Sequence, residues 1–396
     1  MNFKNNYNNE VFKMGYEDTN TDNTITNEPF EFTGKASEYF SIWIVNVTLT
    51  ILTLGIYSAW AKVRTNQYFY SNTLLDGASF RYTARPIQIL KGRIIAFIVF
   101  MGYYASSLVS VKGTAISIVV IMLLVPAFVV MSMAFRMRNS VYRNVRFNFD
   151  KNYKRAYLVF SIPVLFIGAY LFLAAQIQTA NAASQAENPT LPILFLVLML
   201  AIFLMVPWWE YMITQFKVVH GKFGNANFSF SATLKNYFAL YAKGYGLTIL
   251  IFALLGILMA VVFSMLSIKD DPNPLAGILP VLIIILILPV YLWMFAYFQT
   301  KRTNLIFGNL EVQGHKVKAE LKTGYMMYLY LTNTLAIMFT IGLLMPWAKI
   351  RTAKYKASVM SIDIAGDLNQ FVNSQAEQQS ALGEEIGEMF DMDLGF

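Results

Sequence analysis

The residues of this chain that are best suited to polar chemistry occur in one short motif that is found twice, 287 residues apart. The first copy is Trp60-Ala61-Lys62-Val63-Arg64-Thr65 and the second is Trp347-Ala348-Lys349-Ile350-Arg351-Thr352. Two upstream residues keep the same offset, because Asn46 corresponds to Asn333 and Gly55 corresponds to Gly342. Each copy therefore combines an amide, an indole and two cations.

If the two copies pack around a pseudo-two-fold axis along the membrane normal, their amides and hydroxyls converge on a polar cavity with a basic rim, as in transporters built from repeats. The predicted substrate-binding residues are Asn46, Thr48, Trp60, Lys62, Arg64, Asn333, Thr334, Trp347, Lys349 and Arg351. The alternative is structural, because Asn and Thr side chains also join helices, while Lys and Arg extend to lipid headgroups.

Glu210 is a further candidate, as a carboxylate on a solute pathway, because it lies in an apolar segment. It directly follows Trp208 and Trp209, and paired tryptophans are typical of the aromatic belt at the membrane surface. The alternative for Glu210 is therefore a peripheral position near the headgroups.

Enzyme chemistry has no support in the sequence. It contains no phosphate-binding loop, no dinucleotide-binding glycine motif and no zinc-protease or hydrolase motif. There is no cysteine, and the two histidines, His220 and His315, are 95 residues apart. We therefore expect no catalytic residues, no metal and no cofactor, and a non-enzymatic role is favoured.

The composition indicates that lipid is the solvent of most of the chain. Hydrophobic residues make up 56% and charged residues 14% of the 396 residues, against about 45–50% and about 25% in soluble domains. Apolar segments lie near residues 39 to 59, 94 to 111, 115 to 135, 156 to 177, 191 to 215, 245 to 268, 275 to 298 and 325 to 346. The middle six are long enough to cross a bilayer, whereas the first and last are more polar.

The distribution of positive charge predicts the orientation. The four long connections, residues 60 to 93, 136 to 155, 216 to 244 and 299 to 324, hold 22 Lys and Arg, and the three short alternate connections hold 2. Since positive loops stay in the cytoplasm, the long connections are expected on the cytoplasmic side. The excess of basic residues also favours anionic lipids as partners over nucleic acid.

Five short phrases alternate large apolar and polar residues, which is the period of a half-buried strand. They are Phe30-Glu31-Phe32, Phe80-Arg81-Tyr82, Phe147-Asn148-Phe149, Phe228-Ser229-Phe230 and Leu310-Glu311-Val312. If all five are cytoplasmic, the first and last apolar segments must turn back within the membrane, near Gly55 and Gly342. The predicted fold is an all-α polytopic membrane protein with six transmembrane helices, two re-entrant or interfacial hairpins, internal repeats and a small cytoplasmic β element. Eight ordinary spans are the alternative.

The two ends differ from the central part, so three regions are predicted. Residues 1–29 are rich in Asn and are expected to be a disordered tail, and residues 30–365 form the repeat-built transmembrane domain. Residues 366–396 are acidic and form either a tail or an amphipathic helix. The acidic segment could recruit a cytoplasmic partner, and a homo-oligomer is left open.

The chain resembles the YjgN family of bacterial inner-membrane proteins closely over residues 30 to 93 and, by hydropathy and the second Trp-Ala-Lys motif, to about residue 365, with the Asn-rich start and the acidic end outside the resemblance. The residues that carry the resemblance are Phe30-Glu31-Phe32-Thr33-Gly34, Glu38-Tyr39-Phe40, Ile42-Trp43, Asn46, Thr53-Leu54-Gly55-Ile56-Tyr57-Ser58-Ala59-Trp60-Ala61-Lys62-Val63-Arg64, Asn72-Thr73 and Phe80-Arg81-Tyr82. The resemblance implies a multi-pass protein of the bacterial inner membrane. It implies no activity and no ligand residues, because that family is itself a domain of unknown function.

Two functions are compatible with these observations. The first is transport or permeation of a small or anionic solute, or of a lipid, through a cavity between the terminal repeats. The second is a membrane-organising scaffold that binds anionic lipid without moving it.

Overall fold

A computed structural model describes residues 25–182, 190–267 and 279–386, and its elements follow one repeated order. Within those residues a strand, a helical hairpin and a second strand form a unit, and five such units follow one another before a last helix. The strands are β1 (Ile25–Phe32), β2 (Thr73–Leu75), β3 (Ala78–Tyr82), β4 (Ser140–Tyr142), β5 (Val145–Phe149), β6 (Gly221–Phe223), β7 (Ala226–Phe230), β8 (Leu310–Val312), β9 (His315–Ala319) and β10 (Met360–Ala365). The helices are α1 (Ala36–Leu52), α2 (Ser58–Ser71), α3 (Pro86–Val109), α4 (Val111–Arg138), α5 (Tyr153–Ala182), α6 (Thr190–Val219), α7 (Leu234–Ser267), α8 (Leu279–Phe307), α9 (Thr323–Phe339), α10 (Met345–Ser358) and α11 (Leu368–Ile386).

The ten strands of the described part form one closed antiparallel barrel. The two strands that flank a hairpin pair with each other, and each unit is joined to the next by a tight turn. The barrel closes where β1 pairs with β10, with Ile25 opposite Ala365. Closure leaves no unpaired strand edge, which is how short strands avoid pairing with other chains.

The same order fixes which elements lie at each end of the barrel. Because every hairpin connects two neighbouring strands, all five hairpins leave from one end, and the four tight turns lie at the other. The first two turns are Asp76-Gly77, with φ of 46° and 66°, and Arg143-Asn144, with φ of 45° and 68°. Two successive residues in the left-handed region are typical of the type I′ turn, whose twist matches that of the flanking strands.

The helices below the barrel form a ring. Each helix from α1 to α10 contacts the next one along the chain, and α10 contacts α1, so the ring is closed. Within the described part of the chain, five helices are long and apolar enough to cross a membrane, and few of their residues are buried. They cover Pro86–Val109, Lys112–Arg138, Tyr153–Ala174, Thr190–Val219 and Leu234–Val262. The chain is therefore a polytopic membrane protein whose exposed apolar side chains face lipid, and the exact number of spans stays a prediction.

The first and last helical hairpins are shorter than the others. Their helices α1 and α9 have 17 residues each, which is roughly 25 Å at 1.5 Å per residue and less than the ~30 Å hydrocarbon core. Both turn where the sequence predicted, since Gly55 and Gly342 have φ of 93° and 90°. The tips carry Leu54 and Ile341, each 95% exposed, which favours a position in lipid.

The β part of the fold is larger than expected, so the all-α class is too narrow. The five predicted phrases lie in β1, β3, β5, β7 and β8, and the other five strands were not predicted. Three of those are only three residues long, too short to show alternation.

The boundaries of the three predicted regions also differ in detail. Strand β1 begins at Ile25, so residues 25–29 belong to the barrel and not to a tail. The acidic segment contains a helix, α11, up to Ile386. Residues 1–24 and 387–396 lie outside the described residues.

Candidate functional site

The barrel encloses a cavity of about 480 Å³ with an almost entirely apolar wall. Its strand residues include Phe30, Phe32, Leu75, Phe80, Tyr142, Phe147, Phe223, Phe228, Leu310, Val312, Val317, Met360 and Ile362. The cavity follows from the alternation along each strand: in β5, Phe147 faces inward, whereas its neighbour Arg146 is exposed. Small barrels of this kind are either filled by side chains or hold one small ligand.

The wall of the cavity is held in place by aromatic contacts. The rings of Phe80 and Tyr142 are stacked with centroids 4.7 Å apart, and those of Phe147 and Phe223 are 5.1 Å apart. The Tyr142 hydroxyl donates a hydrogen bond of 2.7 Å to the carbonyl oxygen of Leu75. Burial raises the pKa of Tyr142 to about 12, so the hydroxyl keeps its proton. These contacts make the cavity preformed rather than collapsible.

The end of the barrel that carries the tight turns is closed by α11. Leu368, Phe371 and Val372 project from this helix into the cavity and join the apolar core of the barrel. The buried side chain of Gln375 accepts hydrogen bonds at Oε1 from the backbone N–H groups of Asn225 and Ala226. The helix is therefore seated as a plug with both apolar and polar contacts.

Further polar contacts join α11 to the basic turns of the barrel. The backbone N–H of Arg146 donates 3.0 Å to the side chain of Gln379, which donates back to the Arg146 carbonyl at 3.2 Å. Arg143 donates to Asn369 at 2.6 Å and forms an ion pair with Asp76. The acidic segment thus docks on basic connections of its own chain.

A second chamber of about 580 Å³ lies between the other rim of the barrel and helices α2, α4 and α6. Five wall residues are shared with the barrel cavity, so the two spaces adjoin: Phe30, Phe69, Thr73, Phe80 and Phe147. The barrel cavity has one cation in its wall, Lys356, whereas this chamber has two, Arg136 and Lys217, which lie in the last turns of α4 and α6.

Glu210 is buried within α6, with a side chain that is 8% exposed. It forms an ion pair with Arg302 of α8 and accepts a hydrogen bond from the Tyr241 hydroxyl of α7. The preceding Trp209 also has an interior contact, since its indole N–H donates 3.1 Å to the carbonyl oxygen of Val159. Glu210 thus joins three helices, and a role on a solute pathway stays a prediction.

The two equivalent asparagines are both buried, and each joins the two helices of its own hairpin. The amide of Asn46 donates to the carbonyl oxygen of Ala61 at 3.5 Å, and that of Asn333 donates to the carbonyl oxygen of Ala348 at 3.4 Å. The matching bonds are the structural counterpart of the matching motifs. They are the kind of interhelical amide contact that the structural alternative describes.

The other predicted binding residues lie mainly on the second helices of these hairpins. Lys62 and Arg64 are exposed on α2, while Arg351 of α10 donates to the hydroxyl of Thr332 at 2.5 Å. Lys349 makes a contact between the hairpins, with Nζ 5.9 Å from the ring centroid of Tyr39 in α1.

The remaining members of the predicted set have local neighbours. Trp60 stacks on Tyr57 at 6.0 Å, and Trp347 lies 5.1 Å from the Arg351 guanidinium. Thr48 is exposed and Thr334 is half-buried. The structure brings the first and last hairpins side by side, and a shared binding role for these residues stays a prediction.

Sequence reasoning missed the two adjoining cavities. The inward phenylalanines were visible as strand phrases, but their convergence depends on strand pairings between distant segments. Arg136 and Lys217 were counted only as loop charges, and the signal that could have identified them is their equivalent position in a repeat, directly after Phe135 and Phe216 and 81 residues apart.

Comparisons with known proteins agree with the membrane architecture. A family model described as "Bacterial protein of unknown function (DUF898)" matches residues 27–389. The chain is 31% identical over 147 residues to Inner membrane protein YjgN of Salmonella typhimurium, covering 36% of this chain and 37% of that protein. It is 29% identical over 171 residues to Inner membrane protein YjgN of Escherichia coli O157:H7, covering 40% of this chain and 42% of that protein.

The aligned part thus spans about two fifths of the length of these relatives. No solved structure matches the chain. The family match covers nearly the whole chain and includes the helix ring, the plug and all of the barrel except the first two residues of β1. With its apolar helices and its YjgN relatives, the chain belongs to the DUF898 (YjgN) family and is an integral protein of the bacterial inner membrane.

Proposed function

We propose that this protein moves an amphiphile, a lipid or a lipid-like acid, between the bilayer and the barrel. The observation that carries the proposal is the pair of adjoining cavities, one apolar and one with two cations. An apolar tail matches the first space and an acidic head matches the second.

The wall of the barrel cavity argues against a hydrophilic solute. Transfer of a hydroxyl or amide from water to a site without hydrogen-bond partners costs about 1–3 kcal/mol, and the wall is formed largely by Phe, Leu, Val and Met side chains. The small polar solutes considered from the sequence are therefore less well supported than a lipid.

The helix ring offers a route from the bilayer. The two short hairpins are neighbours in the ring, because α10 contacts α1. With their exposed apolar tips at Leu54 and Ile341, both would enter the membrane and return to the same side. If the protein has six full spans and two re-entrant hairpins, the part of the ring formed by the two short hairpins does not cross the whole bilayer. An amphiphile could enter the ring from the side at this sector.

The same sector carries the basic residues of the repeated motif. Lys62, Arg64 and Lys349 are exposed on α2 and α10, the helices that return from the turns. Phe69 of α2 and Ala353 of α10 line the barrel cavity further along the same helices. An acidic headgroup would meet the exposed cations first and the cavity next, which gives the predicted site residues an entry role.

The test is transfer of a fluorescent phospholipid from the bilayer of proteoliposomes into the protein, read by protection of the probe from a quencher carried in the lipid. Thr73 borders both cavities, so Thr73→Trp is expected to obstruct their junction and to reduce transfer at least ten-fold. Its neighbour Leu74 is paired with Ser79 in the barrel wall and is absent from both cavity linings, so Leu74→Trp is the control.

A membrane-organising scaffold is the second candidate, and the observation that favours it is the exposed basic surface of α2 and α10. Such a scaffold would retain anionic lipid during purification without moving it. Equal protection of the probe in protein-free and protein-containing vesicles, together with bound lipid that is lost in Lys62→Gln/Arg64→Gln, would replace transport with this function.

A further inference from the structure

Arg136 and Lys217 are the feature of the second chamber that the fold does not explain. They come from two helices, α4 and α6, and both line the same space of about 580 Å³. Among the described residues, the ion pairs involve other cations, and neither of these two has a carboxylate partner. Two cations that share a largely apolar chamber repel each other, so an anion between them would be stabilising.

The nearest carboxylate is already engaged. Glu210 acts electrostatically on Lys217 but forms its ion pair with Arg302 and accepts the hydroxyl proton of Tyr241. Arg136 and Arg302 both add positive potential at Lys217. The net charge of this group is therefore positive, which leaves room for a ligand with one or two negative charges.

From these observations, and resting on the proposed function for the role of the barrel, we infer that Arg136 and Lys217 bind the acidic headgroup of a single-chain amphiphile whose tail enters the barrel cavity. The guanidinium of Arg136 supplies paired donors for a carboxylate or phosphate, and Lys217 supplies a point charge. The tail passes Thr73 and lies among Phe80, Phe147 and their neighbours, which line both spaces.

One further cation has to be distinguished from this site. Lys356 of α10 lines the barrel cavity itself. If the headgroup lay inside the barrel, Lys356 would be its partner and the orientation of the ligand would be reversed. The two arrangements predict loss of binding in different variants.

The experiment measures binding of a fluorescent long-chain fatty acid to the full-length protein in neutral detergent, with no transport step. Arg136→Gln/Lys217→Gln is expected to weaken binding at least ten-fold. The control Lys151→Gln/Lys154→Gln removes two exposed cations, one in the β5–α5 connection and one in the first turn of α5, and is expected to leave binding unchanged. A long-chain alcohol with the same tail is expected to bind equally to all variants, because it lacks the charge.

Three outcomes would overturn the inference. The first is unchanged fatty-acid binding in Arg136→Gln/Lys217→Gln, and the second is loss of fatty-acid binding in Lys356→Gln instead. The third is displacement of the fatty acid by inorganic phosphate as effectively as by unlabelled fatty acid, which would show a site without a tail cavity. The binding assay needs no vesicle and is therefore independent of the transfer assay. If binding is intact and depends on charge but lipid transfer fails, only the transport proposal is rejected.

Discussion

The side-chain oxygen of Gln375 accepts a hydrogen bond of 2.9 Å from the backbone N–H of Asn225, 150 residues earlier in the chain. Gln375 is 2% exposed, so this bond is shielded from water. It attaches the last described helix to the turn between β6 and β7. The closed state of the barrel therefore depends on a neutral amide and not on the acidic residues around it.

Gln375→Ala should loosen the plug. It leaves two backbone N–H groups, those of Asn225 and Ala226, without their partner, and a buried unsatisfied donor costs about 1–3 kcal/mol. The chain is free of cysteine, so a single introduced thiol, Phe371→Cys, reports exposure by its rate of alkylation. We expect the Phe371→Cys site to react faster in the Gln375→Ala background.

The control for this experiment is Gln378→Ala, a substitution of the same residue type on the exposed side of the same helix. It should leave the alkylation rate unchanged. Equal rates in all three backgrounds would show that the apolar contacts of Leu368 and Val372 hold the helix without Gln375.

Gly55→Ala should destabilise the first hairpin through backbone strain alone. At φ of 93° an added Cβ meets no atom within 4 Å, so crowding is absent. Placing a side chain in this conformation costs about 1–3 kcal/mol. Gly102→Ala in α3 is the matched control, because it also has open space but no positive φ. Thermal unfolding in detergent should separate the two, and equal midpoints would contradict the turn geometry.

Arg302→Gln should reduce stability, because it leaves Glu210, whose side chain is 8% exposed, with a buried, unpaired charge. Breaking one partner of a buried ion pair costs about 3–5 kcal/mol. Glu38→Gln, which removes an exposed ion pair with Lys35, should cost about 0–1 kcal/mol. The double variant Glu210→Gln/Arg302→Gln should recover part of the loss. A variant of Glu210 that loses lipid transfer with an unchanged unfolding midpoint would instead support a pathway role.

Acidification should weaken the junction between the barrel and α11 at His315. The Nδ1 atom of His315 accepts a 3.2 Å hydrogen bond from the backbone N–H of Ala365, and the ring lies 4.5 Å from that of Phe371. Burial lowers the pKa of His315 below its ordinary value of 6.5. The neutral imidazole therefore contributes its full stabilisation above the pKa that His315 has in the unfolded chain. This stabilisation is lost as the pH falls through the lower pKa that His315 has in the folded protein.

Asp363 on the neighbouring strand β10 stays ionised over this pH window. Lys316 and Lys318 flank the site on β9, and Lys318 holds the pKa of Asp363 on β10 below its ordinary value. Unfolding midpoints measured at about pH 7.5 and about pH 5 should differ less in His315→Gln than in the unsubstituted protein. An equal difference in both would assign the pH dependence to other groups.

The sequence predicts local features of this fold well and distant pairings poorly. Gly55 and Gly342 could be predicted as turns because each lies in an apolar segment that is too short to cross the membrane twice. The three residues of β2 show no alternation. They form a strand only because they pair with β1 on one side and with β3 on the other. Apolar periodicity therefore found the hairpins and half of the strands, whereas the barrel required tertiary contacts.

The candidate sites differ in the same way. Asn46 and Asn333 were found because they belong to a repeated motif, and the structure shows that repetition here reflects a repeated helix contact. Arg136 and Lys217 occupy equivalent positions of a second repeat, 81 residues apart, because each directly follows a phenylalanine, Phe135 or Phe216. They meet because α4 and α6 both end beneath the barrel. Repeats in the sequence thus identify shared architecture, and the headgroup site that we propose uses equivalent positions of two repeats.

The closing pair of strands has a consequence for how the chain is made. The Asn27 side chain donates to Asp363 across 336 positions, so β1 leaves the ribosome long before its partner exists. The helical hairpins can enter the bilayer one after another, but the first strand keeps an open edge until residues 360–365 have been made. Ring closure should therefore be a single late step, and chains that stall before residue 360 should be substrates for quality-control proteases.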